Sequence, residues 1–265
     1  MAVVWSTFSA PYEAIVSDIK SRFEKSNRTF QKQLGYAPIE SMKGRVKAED
    51  SARKKLEKRG MPFDEKSLRS LTDLAGVRVI CKFLDDIPEI VGLIKSWESP
   101  RLKADGGKFS YEQISIVEEQ DFVSEPKQSG YRSHHLVCKT GNLLFEIQVR
   151  TISMDFWATT EHMLKYKYKG DLPEDLKAKL RSIAEISSTL DMAMNDIRQD
   201  VNIGTAKSRL LDQFYKAIGI LEQTGLSFKA EAYREQFRRV HNDLEALKSL
   251  AIRAKEDVPQ QYWND

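Results

Sequence analysis

The strongest pattern in the chain has a period of two. From Leu143 onward, Leu143, Phe145, Ile147 and Val149 fall on one side and Leu144, Glu146, Gln148 and Arg150 on the other, as in a β-strand with one face in a core. Residues 133–139 read as a second short apolar strand, and Thr140-Gly141-Asn142 supplies turn residues, so a hairpin is predicted. Ala75-Gly76-Val77-Arg78-Val79-Ile80-Cys81-Lys82-Phe83 is rich in β-branched residues and predicts a central strand, and residues 39–45 a shorter extended piece. Helical spacing governs the rest. Tyr12, Ile15, Ile19, Phe23 and Phe30 predict a packing helix from Pro11 to about Gln33; residues 49–59, 88–97 and 153–169 predict three more. Beyond Pro173 the stripes Ala184/Ile186/Leu190/Met194/Ile197, Leu210/Phe214/Ile218/Leu221 and Tyr233/Phe237/Val240/Leu244/Leu247 predict three amphipathic helices, with breaks at Gly204 and Thr224-Gly225. Residues 101–123, with Gly106-Gly107, read as strand fragments and a loop. This order implies an α/β (α+β) protein: a mixed sheet flanked by helices over residues 1–200, and a helical C-terminal extension over 201–265.

Composition narrows the class. With 41% hydrophobic and 31% charged residues, the 265-residue chain has the make-up of a globular protein. Apolar runs are too short to span a membrane, and MAVVWSTFSAPYE lacks the basic start and apolar core of a secretory signal, so a cytoplasmic protein without membrane contact is expected. Cys81 and Cys138 sit in apolar strand-like runs and are expected to be buried thiols. A net charge of +3 does not mark a nucleic-acid binder. The basic charge is local: Lys43, Arg45, Lys47, Arg53, Lys54, Lys55, Lys58 and Arg59 face only Glu49, Asp50 and Glu57 in the same stretch.

Three groups of residues carry candidate chemistry. Lys47, Ser51 and Lys54 or Lys55 are spaced one helical turn apart and share a face suited to a polyphosphate, although a basic helix face is more often simply solvated. Asp73, just before the central strand, and Glu146 would make a two-carboxylate site suited to Mg²⁺ and a phosphate substrate; Asp73 as a turn cap is the plain alternative. Glu146, Gln148 and Arg150 point into one space, and Gly130-Tyr131-Arg132-Ser133 and His134-His135 gather at the entrance to the hairpin; outward polar residues on a strand are otherwise ordinary.

The motifs Gly44-Arg45-Val46-Lys47 with Ser51 and Lys55, Asp73-Leu74-Ala75-Gly76-Val77-Arg78, Gly130-Tyr131-Arg132-Ser133-His134-His135, Glu146-Ile147-Gln148-Val149-Arg150-Thr151 and Phe156-Trp157-Ala158-Thr159 with Glu161-His162 together resemble the small alarmone synthetases of the Rel/Spo type, over residues 10–201. The resemblance implies a nucleotidyltransferase-like sheet that moves the β,γ-pyrophosphate of ATP to the 3′-hydroxyl of GTP or GDP, giving (p)ppGpp and AMP. It implies that Arg45 and Arg78 sandwich adenine, that Lys47, Ser51 and Lys55 hold the ATP phosphates, and that Asp73 and Glu146 bind Mg²⁺, with Glu146 also the base. Tyr131 would stack on guanine, and Lys127, His135, Gln148 and Arg150 would line the acceptor side. A homotetramer is implied as well. Long members carry Asn where Ser129 stands. Product-activated tetrameric members differ at the places held by Ser41, Lys43 and Asp155, so product activation is not expected. The hydrolase half of long members has no counterpart. An alternative acceptor, the 3′ end of tRNA, belongs to toxic small relatives, and an inactive nucleotide sensor is the non-enzymatic reading.

Overall fold

The structure, a computed structural model, describes residues 3–98, 114–168 and 172–262. Two compact units divide the chain, Met1–Asn195 and Asp196–Asp265.

Among the described residues of the first unit, five strands form one mixed sheet in the order β1-β2-β5-β4-β3: β1 is Ile39–Val46, β2 Ala75–Cys81, β3 Ser115–Asp121, β4 His134–Thr140 and β5 Leu143–Thr151. β2 and β5 run parallel, and every other neighbouring pair is antiparallel. Helices α1 (Trp5–Leu34), α2 (Glu49–Lys58), α3 (Glu65–Arg69), α4 (Asp86–Lys95) and α5 (Ile152–Tyr168) surround the sheet. The hairpin expected from the alternation forms, with Gly141 at φ 56° in its turn, a left-handed conformation that glycine adopts without a Cβ penalty.

The apolar sides of β2 and β5 (Val77, Val79, Phe145, Ile147, Val149) are buried against Tyr12, Ile19 and Phe23 of α1 and Ile87, Ile90, Val91 and Ile94 of α4. Phe23 is 0% exposed, and burying such a side chain contributes about 1.5–3 kcal/mol. Where α1 crosses β1 the approach is close: a Cβ on Gly44 would lie 2.5 Å from Val16 Cγ1. Asn27 completes the join by exchanging two 3.0 Å hydrogen bonds with the backbone N–H and C=O of Ile39.

Several boundaries differ from the sequence reading for physical reasons. α1 starts at Trp5 and carries Pro11 inside it, because Trp5, Phe8 and Tyr12 form an aromatic row, with ring centroids 5.7 and 5.6 Å apart, that outweighs the missing N–H. α3 is a five-residue helix too short to show a periodic stripe; Asp64 caps it by accepting from the Ser67 N–H at 2.7 Å. β3 occupies part of the stretch read as fragments and loop, and residues 101–113, including Gly106-Gly107, lie outside the described residues.

α6 (Glu174–Gln223) is one 50-residue helix that passes through Gly204, where a break was expected; a mid-helix glycine costs only about 1 kcal/mol. In the second unit the expected third helix is two, α7 (Ser227–Val240) and α8 (Leu244–Glu256), because Asp243 caps a new start by accepting from the Ala246 N–H at 3.0 Å. This unit has its own core of Phe214, Ala217, Ile218, Leu221, Ala230, Leu250, Ala251, Ala254 and Val258. Phe214 and Phe237 stack there with centroids 5.0 Å apart.

Candidate active site

The polar face of the sheet is built in cross-strand rows. Arg45 of β1 lies opposite Gly76 of β2, Gly76 opposite Glu146 of β5, and Glu146 opposite Val137 of β4. One step along, Lys43, Arg78, Gln148 and His135 form the next row. Gly76 contributes no side chain, so the floor between Arg45 and Glu146 stays open. Lys43, Gly44, Arg45, Asp73, Gly76, Val77, Arg78, Glu146 and Gln148 line a cleft of about 280 Å³ over this floor.

Asp73 stands at one end, two residues before β2. Its Oδ2 accepts from Lys47 Nζ at 2.9 Å and Lys55 Nζ at 2.6 Å. Lys47 follows β1 and Lys55 is on α2, so the two cations predicted to share a face do converge. Ser51 and Lys54 remain exposed on α2. Burial pushes the Asp73 carboxyl up, but the two lysines outweigh it and hold the group below the usual carboxylate range. Asp73 Oδ1 is buried and has no hydrogen-bond partner among the described residues.

Glu146 is held on both oxygens. His135 Nδ1 lies 2.9 Å from Oε1, and Gln148 Nε2 donates to Oε2 at 2.7 Å. Burial raises this carboxyl, His135 and Gln148 lower it, Asp73 raises it again, and the net is a depressed pKa. A relay continues outward, since Tyr131 Oη lies 2.9 Å from His135 Nε2. With Glu146 ionised, one arrangement satisfies every atom: Nδ1–H donates to Glu146 and the Tyr131 O–H donates to Nε2. Phe122 braces both rings edge-on, at centroid distances of 5.3 Å to His135 and 6.4 Å to Tyr131. Lys127 Nζ sits 4.3 Å from the Phe122 centroid and 5.2 Å from that of Tyr131. The loop carrying Lys127 and Tyr131 turns at Gly130, φ 89°, where a Cβ would lie 2.5 Å from Ala184 Cβ of α6.

Arg150 departs from the picture of a side chain lining an open acceptor site. It is 1% exposed, and its NH2 donates to Asp155 Oδ1 at 2.6 Å. Arg78 NH1 reaches the same oxygen at 3.2 Å, and Lys43 Nζ reaches Oδ2 at 2.9 Å. The alternation put Arg150 on the correct face, but α5 folds back over it at once. Asp155 is the neighbour of Arg150 that periodicity does not reveal; in the local pattern it is a lone acid five residues beyond Arg150 at the start of a helix.

The donor set fits a hard divalent cation: two carboxylates, one with an orphaned buried oxygen, beside lysines that would hold phosphates, since Mg²⁺ is commonly held by one or two carboxylates plus substrate oxygens.

The site thus brings two carboxylates and two arginines to one cleft on a mixed sheet, with Lys47 and Lys55 beside it, a donor set suited to a phosphate-bearing ligand. The profile described as "Region found in RelA / SpoT proteins" matches residues 44–171. The chain is 34% identical over 205 residues to the GTP pyrophosphokinase YjbM of Bacillus subtilis, covering 74% of this chain and 90% of that protein. It is 33% identical over 207 residues to YwaC of the same organism, covering 75% and 92%. Among solved structures, the small alarmone synthetase 1 from Bacillus subtilis bound to its product pppGpp superposes with a TM-score of 0.63 at 33% identity, covering 74% of this chain and 97% of that one. The chain belongs to the RelA/SpoT family.

Proposed function

We propose that the chain is a GTP pyrophosphokinase of the small alarmone synthetase type, which transfers the β,γ-pyrophosphate of ATP to the 3′-hydroxyl of GTP or GDP. The observation that carries this reading is the row Arg45–Gly76–Glu146 with Asp73 at its end, in a chain about one-third identical to two GTP pyrophosphokinases. The tRNA acceptor finds no support in these relatives.

Arg45 and Arg78, on β1 and β2, flank the cleft and would take adenine between their guanidiniums, a contact that reads no base edge strongly. Lys47, Lys55 and Ser51 would turn to the triphosphate, releasing Asp73 Oδ2. Mg²⁺, held by Asp73 and Glu146, would neutralise charge on the transferred group. Tyr131 would stack on guanine, while Lys127, His135 and Gln148 border the acceptor and Arg150 supports that side from beneath. The acceptor 3′-oxygen attacks the β-phosphorus, the Pα–O–Pβ bridge breaks to release AMP, and the 3′-hydroxyl proton passes to Glu146. His135 and Gln148 keep that carboxylate ionised and aimed, so most of the catalytic effect is positioning and electrostatics.

Both substrates are cytoplasmic nucleotides, which places the enzyme in that compartment in this reading; no described helix is long and apolar enough to cross a membrane. Exposed Phe156, Met163 and Leu164 on α5 and Ile183, Ile186 and Leu190 on α6 support a homo-oligomer, proposed to be a tetramer and measurable by light scattering.

The test is incubation with Mg²⁺, γ-labelled ATP and, separately, GTP, GDP, GMP and bulk tRNA. Label on a guanine nucleotide is expected; label on tRNA alone would refute the reading. Glu146→Gln should abolish transfer and leave nucleotide binding largely intact, and unchanged turnover would sink the assigned base.

A further inference from the structure

We propose that Asp155 is a positioning residue of the transferase site: its carboxylate ties the guanidiniums of Arg78 and Arg150 together and anchors Lys43, so that Arg78 is held at the edge of the cleft in one orientation. The inference rests on the reading of Arg78 as an ATP-binding residue.

The geometry gives the carboxylate three cations and both its oxygens. Oδ1 bridges Arg150 NH2 at 2.6 Å and Arg78 NH1 at 3.2 Å, and Oδ2 takes Lys43 Nζ at 2.9 Å. These cations come from three adjacent strands. Lys43 of β1 lies opposite Arg78 of β2, and Arg150 of β5 lies opposite Ile80, one step along the same face of β2 from Arg78. Asp155 is in the first turn of α5, where a carboxylate is favoured by the helix N-terminus. It reaches down onto the sheet because α5 begins directly after β5.

Without Asp155 the arrangement is electrostatically unfavourable. Burial is the chief influence lowering the pKa of Arg150, and the nearby Arg78 charge lowers it further, so the two guanidiniums repel each other where little water screens them. Asp155 is itself resisted by burial, but Lys43, Arg150 and Arg78 together hold its carboxyl below the usual range. Three positive charges on one carboxylate leave the cluster with a surplus of two, on the side of the cleft lined by Lys43 and Arg78. Arg78 has a side-chain exposure of 32%, so its plane can meet a ligand while its NH1 end is tethered. A free arginine would lose rotamer entropy on stacking; a tethered one has lost much of it already.

The test is a double-mutant cycle read as binding of a non-transferable ATP analogue by calorimetry. Arg78→Ala should weaken binding about tenfold, and Asp155→Asn should do so several-fold in the parent, in line with losing one charge-assisted hydrogen bond. In the Arg78→Ala background, Asp155→Asn should change affinity by less than about twofold, because the group it acts through is gone. Asp155→Glu, which keeps the charge, should recover most of the affinity. Asp155→Asn leaves Arg150 buried without its counter-charge, so Asp155→Asn/Arg150→Met, which removes both charges, is the companion variant and should show the same loss. Multiplicative effects of Arg78→Ala and Asp155→Asn, or full affinity in folded Asp155→Asn/Arg150→Met, would overturn the role of Asp155. Undiminished binding by Arg78→Ala would instead overturn the ATP-side reading of Arg78, and this inference with it.

Discussion

Tyr131→Phe separates the two jobs assigned to one side chain. The ring is the proposed platform for guanine, and the hydroxyl is the outer link of the chain Tyr131–His135–Glu146. The substitution keeps the ring and deletes the hydroxyl that lies 2.9 Å from His135 Nε2 in a half-buried setting. Phe122, edge-on to both rings, holds their positions, so little rearrangement should follow. Losing such a hydrogen bond costs about 1–1.5 kcal/mol, which corresponds to about 5- to 12-fold in rate if the loss is felt at the reacting end. We expect kcat to fall by that factor while KM for GTP stays within about twofold, because base–aromatic stacking, worth about 1–3 kcal/mol, is retained. Steady-state transfer from labelled ATP at saturating ATP and varied GTP measures both constants. Tyr131→Ala should instead raise KM. A Tyr131→Phe enzyme with raised KM and unchanged kcat, or with neither constant altered, would refute the link between the hydroxyl and Glu146.

Other outcomes follow from the same structure. Asp73→Asn should lower kcat/KM roughly 100-fold or more, the scale of removing one electrostatic group that faces a reacting centre, and the added Mg²⁺ needed for half-maximal rate should rise. Gly130→Ala combines φ 89° with a 2.5 Å clash against Ala184, so it should cost about 1–3 kcal/mol in thermal unfolding and weaken acceptor use through Tyr131. Asp191 accepts from Thr151 Oγ1 at 2.6 Å and from Ser153 Oγ at 2.5 Å, yet burial leaves its carboxyl above the usual range. Because the folded group holds its proton to higher pH than the unfolded one, ionising it costs stability above the folded pKa, and that cost vanishes below the unfolded value of about 3.9. The Tm of Asp191→Asn relative to the parent should therefore be highest near pH 8 and fall toward pH 4; a pH-independent difference would contradict this.

The period-two pattern made the sheet legible because it constrains faces as well as elements. Once Leu143, Phe145, Ile147 and Val149 are inside, Glu146 and Gln148 must look the other way, and the pairing of β2 with β5 then sets Arg78 beside Gln148. Asp73 was legible in the same manner, as a carboxylate at a strand end. Its lysines were half legible: helical spacing put Lys47 and Lys55 on one side, but nothing local named an acid 26 residues further on as the partner of Lys47. Helix ends were less legible, since the interior penalties of Pro11, about 3 kcal/mol, and Gly204, about 1 kcal/mol, are absorbed by aromatic packing and a continuing helix.

Arg150 marks the limit of reading a face from alternation. The pattern assigns a direction to a side chain and says nothing about what lies over it. Glu146, Gln148 and Arg150 point the same way, yet the first two border the cleft and the third is sealed beneath α5. The difference arises four residues into that helix, where Asp155 turns a guanidinium that would otherwise need water into one that can be buried. A charged residue can be roofed over only if the roof carries its counter-charge. An acid in the first turn of a helix that follows a basic strand end is therefore informative as a pair. In this chain that pair also reaches Arg78, so the element that closes one end of the site fixes a side chain in its open part.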